Sequence, residues 1–289
     1  MDLTALATKI HAAERNLQQE AAEGLRTASE HEPTTLAFCR RLIAVVRVVI
    51  DEKHSAFPDT GWQVIVMALV VKVLATVRAA YTVGAAAHGR EMRVLTRSAL
   101  ESFITAAFIA KKDSGVRAER WMQHAVIIRA ELLNKKPDLS SEPEHLEVRD
   151  RILAAAPNLK TLFPNKFFWA SGLGKRNLRA LAADVEMEWY YSTVYWSGSQ
   201  ATHGSAISVE DYVEDVPGAP RTTLIYQFGL SVTDLHGQLA VCCDLLIRAL
   251  ILLNKVLKLD LDNLASELTA EYKAVFGADT AERVGRGSS

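Results

Sequence analysis

Apolar residues recur at every third or fourth position through almost all of this chain. They do so at Leu36, Cys39, Ile43, Val46 and Ile50, then at Met67, Val70, Leu74, Val77 and Tyr81. A third series runs through Phe228, Val232, Leu235, Leu239, Cys242, Leu246, Ala249 and Leu253. That spacing puts one apolar stripe on each of several helices and leaves little room for sheet, whose apolar residues alternate. Only Thr222 to Ile225 reads as a strand, and weakly. The expected fold is therefore all-α: a multi-helix bundle in a single compact domain, spanning 33–278. An exposed helix over 1–32 precedes it, and a disordered tail over 279–289 follows.

Punctuation residues divide the pattern. Pro33 suits a first helical turn. Pro58, Asp59, Thr60 and Gly61 form a break, with Asp59 or Thr60 available as a helix cap. Gly84 and Gly89 end or kink the next helix, and a further one runs from about Arg90 to Lys112. Another extends from Ser114 to about Asn134. Pro137, Pro143, Pro157 and Pro164 make the middle of the chain the least regular, with one short helix from Glu144 to Ala156. Phe167, Phe168 and Trp169, before Gly172 and Gly174, read as an aromatic loop packed on the bundle. Short helices follow at Asn177–Val185 and Glu188–Gly204. Glu210 to Pro220 is an acidic loop, a long helix covers Ile225 to Leu257, and a last one covers Leu261 to Phe276.

Composition excludes several classes of function. Hydrophobic residues make up 49% and charged residues 23%, ordinary for a globular chain. The 33 basic and 34 acidic side chains nearly cancel, giving a formal charge of −1. No global field marks the protein as one that coats DNA or a membrane surface. Cys39, Cys242 and Cys243 form neither a disulfide framework nor a zinc spacing. The N-terminal residues lack the apolar core of a signal peptide. Trp62–Val83 is apolar but carries Lys72 and Arg78, and Leu239–Leu253 is short and carries Asp244 and Arg248. Both fit buried bundle helices better than membrane spans, so a cytoplasmic protein without membrane attachment is expected.

Two polar constellations stand out. Arg97 and Glu101 lie four residues apart on one helix face, which continues through Ile104 and Phe108. In the plainest reading they are an intrahelical ion pair. Tyr191, Tyr195, Ser199 and His203 are each four residues after the last, which lines three hydroxyls and an imidazole along one slowly drifting stripe. Trp189 and Trp196 supply bulk nearby. That stripe is either a packed aromatic helix with satisfied polar tips or a ligand-facing surface.

The Arg97-Ser98-x-x-Glu101 run, Phe168-Trp169 before a glycine-containing helix start, and Tyr195-x-x-x-Ser199-x-x-x-His203-Gly204-Ser205 resemble the pattern of a bacterial helical family of unknown function. The resemblance covers roughly Arg90 to Leu257. It implies an all-α fold and a meeting in space of Arg97, Glu101, Tyr195, Ser199 and His203, and it supplies no activity. A wider similarity is to HEPN proteins, helical domains that include metal-independent ribonucleases. Their site pairs an arginine with a histidine a few residues downstream. Trp196, Ser197 and Gly198 occupy that window before His203, so the signature is not met there. Arg26 with His31, Arg47 with His54 and Arg117 with His124 have the spacing, but none has Asn, Asp or His directly after the arginine.

Chemistry assembled from distant parts remains. His203 with Glu101 could shuttle protons while Arg97 stabilises developing phosphorane charge, the ingredients of metal-free RNA cleavage. Tyr195, Ser199 and Tyr191 would then bind the ligand. No cofactor or metal site is expected, because one His and one Glu fall short of a ligand set. Gly172-Leu173-Gly174-Lys175-Arg176 is no phosphate-cradling loop. The partners expected are RNA or another phosphate-bearing ligand, and a second copy of the chain as a homodimer. The alternative is a helical module in which the same residues form a structural network.

Overall fold

The apolar stripes read from the sequence are the buried faces of real helices. A computed structural model describes residues 16, 19–53, 61–136, 143–203, 213–215, 224–226 and 230–277. Helical turns over 19–31 form α1. They are followed by α2 (Pro33–Lys53), α3 (Gly61–Ala85), α4 (Gly89–Lys111), α5 (Ser114–Lys135) and α6 (Pro143–Lys160). A 3-10 turn (Trp169–Leu173), α7 (Leu178–Asp184) and α8 (Glu188–Tyr190) come next. A π segment (Tyr191–Tyr195) leads into α9 (Trp196–His203), and α10 (Leu235–Leu257) and α11 (Asp262–Phe276) complete the set. The protein is an all-α multi-helix bundle. Strands β1 (Val213–Asp215) and β2 (Leu224–Tyr226) pair antiparallel, Glu214 facing Ile225. The first of these lies within the stretch expected to be an acidic loop.

Local chemistry explains the helix ends. The Asn177 side chain accepts from the Ala180 amide at 3.1 Å and caps α7. Asp113 and Lys258 adopt left-handed conformations at the boundaries of α5 and α10, where a helical run must turn. The break read at 58–60, with its cap candidates Asp59 and Thr60, lies outside the described residues. So do Phe228 and the tail at 279–289.

Two compact units emerge from the packing: residues 1–56, 70–103 and 189–289 form one, and 57–69 with 104–188 the other. Residues of α3 and of α4 are divided between the two. In the larger unit α10 packs against α2 and α11. Leu235, Leu239, Cys242, Leu246, Ala249 and Leu253 are all buried, as their spacing predicts. On α2 and α3 three of the five expected positions are buried, Leu36, Cys39 and Val46 on α2 and Met67, Val70 and Val77 on α3, while Leu42 and Val49 are buried where Ile43 and Ile50 were expected. On α3 the buried stripe runs through Val66, Val70, Val73, Val77 and Ala80, with Leu74 and Tyr81 at its edge. Among the described residues α3 is also the one helix long and apolar enough to cross a membrane by length and composition. Its fully buried valines suit a bundle helix equally well.

In the smaller unit α5 packs on α6 and on the 3-10 turn. Of the aromatic loop, Trp169 packs edge-on against Phe108, with ring centroids 5.7 Å apart. Phe167, expected to pack with it, is 75% exposed. Arg117 is buried, its guanidinium 3.7 Å from the centre of the Phe108 ring and donating to the Phe108 carbonyl near the end of α4. His124 bonds the Lys166 carbonyl at 2.8 Å. The Arg117–His124 spacing therefore serves two separate structural contacts.

Candidate functional site

The segment 188–203 is where the polar constellations meet. A π turn adds one residue to a helix and is unfavourable unless surrounding contacts hold it. Here Tyr190, Val194 and Gly198 are buried. Gly198 is required by close approach: a Cβ there would lie 2.6 Å from the Arg93 carbonyl oxygen and 2.7 Å from the Arg97 Cβ. α9 and α4 are thus in backbone contact, and that contact brings Arg97 to the tyrosines.

Arg97 Nη2 donates to the Tyr195 hydroxyl at 3.1 Å, and its guanidinium carbon lies 4.6 Å from the centre of the same ring. Tyr195 stacks on Tyr191, with centroids 4.8 Å apart and planes 15° from parallel. The Arg97 Nε is buried and has no hydrogen-bond partner among the described residues. Among the described residues no carboxylate stands within ion-pair distance of Arg97. Arg93, one turn earlier, is committed to Asp234, its Nε donating at 2.7 Å. Arg97 is thus a half-buried cation whose charge no described residue neutralises.

The remaining candidates are placed less closely. Tyr191, Tyr195 and Ser199 all lie on the half-buried flank beside the Tyr190–Val194–Gly198 stripe. His203, at the end of α9, is exposed and has no hydrogen-bond partner among the described residues. From Tyr195 two four-residue steps along α9, each drifting by about 40°, carry it round to solvent. Glu101 is likewise exposed, one turn beyond Arg97. The structure brings Arg97, Tyr195 and Tyr191 together, with Ser199 on the same flank. It places His203 and Glu101 toward solvent.

A second polar cluster was not singled out in the sequence. Tyr190 Oη donates to Asp244 Oδ2 at 2.5 Å, and Arg248 Nε donates to the same oxygen at 2.6 Å. Asp244 is 6% exposed. Burial pushes its carboxyl above the usual range, and the Arg248 charge and the Tyr190 bond pull it partly back. Burial, reinforced by the Asp244 charge, raises the Tyr190 phenol well above its ordinary value, so it stays a donor. The Tyr272 hydroxyl is buried and has no hydrogen-bond partner among the described residues. One signal was legible: Asp244 and Arg248 are spaced by four in an otherwise apolar run.

A family model for a family of unknown function, DUF5677, matches residues 63–219. The chain belongs to this family. Arg97, Glu101, Tyr191, Tyr195, Ser199 and His203 all fall inside the DUF5677 match, whereas Asp244 and Arg248 lie beyond it. Neither the curated proteins nor the solved structures give a match.

Proposed function

We propose that the contact between α4 and the 188–203 segment is a binding site for a phosphate-bearing ligand, with RNA as the ligand class. The observation that carries this reading is the Arg97 guanidinium, half-buried, oriented by Tyr195 and without a carboxylate at ion-pair distance among the described residues. A cation in such a place attracts an anion more strongly than one in bulk water, because fewer solvent dipoles screen it. The Tyr191–Tyr195 stack beside it offers aromatic surface of the kind on which unpaired bases stack. Ser199 adds a hydroxyl on the same flank.

The finer reading is metal-independent RNA cleavage in a stress or phage-defence setting within the cytoplasm. Arg97 would neutralise the phosphate, with His203 and Glu101 as proton-transfer groups at the solvent edge. A bound strand extending from Arg97 along α9 would have to meet His203 for this to operate.

The test is anisotropy titration of a labelled single-stranded RNA, followed by gel analysis of the same mixture. Arg97→Ala is expected to abolish binding and to flatten its salt dependence. His203→Ala is expected to leave binding intact and remove any cleavage. Equal binding by wild type and Arg97→Ala would overturn the reading. A second reading, a non-enzymatic module held in register by this network, draws on the tight Gly198 contact. It predicts loss of stability, and no loss of ligand, in Arg97→Ala.

A further inference from the structure

The two polar clusters are joined through adjacent residues of one helix. Tyr190, whose hydroxyl ends on the buried Asp244, is followed directly by Tyr191, the first residue of the π segment. Four residues on, Tyr195 stacks on Tyr191 and meets Arg97. Three residues further, Gly198 is pressed against α4. The helix is therefore pinned at two points, Tyr190 on α10 and Gly198 on α4, with the extra residue of the π turn between them.

Each residue of an α-helix turns the chain by about 100°. Removing the inserted turn would rotate the residues before it by that amount relative to those after it. Tyr190 could then no longer reach Asp244 while Gly198 kept its place on α4. The π turn reconciles the two anchors, and releasing either anchor lets the helix relax to ordinary α register. The first anchor is well built for its task. The carboxylate is nearly sealed from water, holds both the phenol and the Arg248 guanidinium on one oxygen, and cannot exchange Tyr190 for solvent at low cost.

We propose that Asp244 is a positioning residue for the Arg97 site: through Tyr190 it locks the register of the 188–203 helix, and so the stacking of Tyr191 on Tyr195 beside Arg97. Its consequence for ligand binding rests on the function proposed above. Its consequence for the tyrosine stack does not.

The experiment places 3-fluorotyrosine at position 195 of the full chain and follows its fluorine resonance, which senses the ring current of Tyr191. Tyr190→Phe keeps the ring and removes the donor, while Asp244→Asn removes the charge. Both are expected to shift the resonance, and to weaken binding of a short single-stranded RNA about tenfold, the effect of losing one charge-assisted hydrogen bond. Leu253→Ala, a core truncation on the same helix α10, is expected to lower Tm and leave the resonance in place. Should Asp244→Asn fail to fold, Tyr190→Phe decides alone. An unmoved resonance in folded Tyr190→Phe overturns the proposal, as does an equal shift in Leu253→Ala. Wild type that binds no RNA while the resonance still shifts would sink the ligand reading and leave the positioning role standing.

Discussion

Arg97 with Glu101 and Asp244 with Arg248 look alike on paper: opposite charges four residues apart on one helix face. In the structure they part company. Arg97 turns to Tyr195 and Glu101 is exposed, whereas Asp244 and Arg248 bond at 2.6 Å in the core. Polarity explains part of this, since an acid N-terminal to its base pairs better along a helix than the reverse order. Surroundings explain the rest. Asp244 lies on a helix buried on nearly all sides, where an unpaired carboxylate would be intolerable. Arg97 lies where a neighbouring helix offers a phenol and water remains close. Spacing identifies candidates for an ion pair, and burial decides which of them forms.

The comparison breaks most visibly if the acids are removed one at a time. Asp244→Ala strands the Arg248 cation in the core and is expected to cost about 3–5 kcal/mol of stability in urea unfolding. Glu101→Ala is expected to stay within about 0.5 kcal/mol, as exposed substitutions do. Similar losses for the two would mean that burial does not separate the pairs.

Next in size is Gly198→Val, which forces side-chain atoms into the Arg93 carbonyl and Arg97. Overpacking of this kind costs about 1–3 kcal/mol, and thermal unfolding reads it directly. A tolerated valine would show that α9 stands further from α4 than the Gly198 contact requires.

Tyr190→Phe removes a hydrogen bond to a charged acceptor, an effect of about 1.5 kcal/mol or somewhat more. A double-mutant cycle with Asp244→Asn should show the two losses strongly non-additive. Smaller than Tyr190→Phe is the effect of Arg97→Ala, where loss of one phenol contact costs about 1 kcal/mol or less. RNA binding, by contrast, should fall furthest in this variant. Stability loss without binding loss would turn the Arg97 cluster into a second structural network like that of Asp244.

Much of the scaffold was legible without coordinates. Three- and four-residue spacing located the helices and the buried face of α10, and Asn177 announced the start of α7. The site was legible in part. Four-residue steps from Tyr191 picked out a helix whose half-buried flank carries Tyr191, Tyr195 and Ser199, while it was the family resemblance, not the spacing, that implied a meeting with Arg97. Spacing did not show that His203 stands exposed at the end of α9, two α-helical steps and about 80° of drift beyond Tyr195.

By itself the sequence determined the helices, since amphipathic periodicity is a local property that backbone geometry converts directly into a buried face. The π turn, the Gly198 contact, the exposure of Phe167 and the Tyr190–Asp244–Arg248 cluster were decided by tertiary structure alone. Each depends on what a residue distant in sequence presents across a helix interface. The cost of burying a charge or inserting an extra residue is set by that neighbour, not by spacing along the chain.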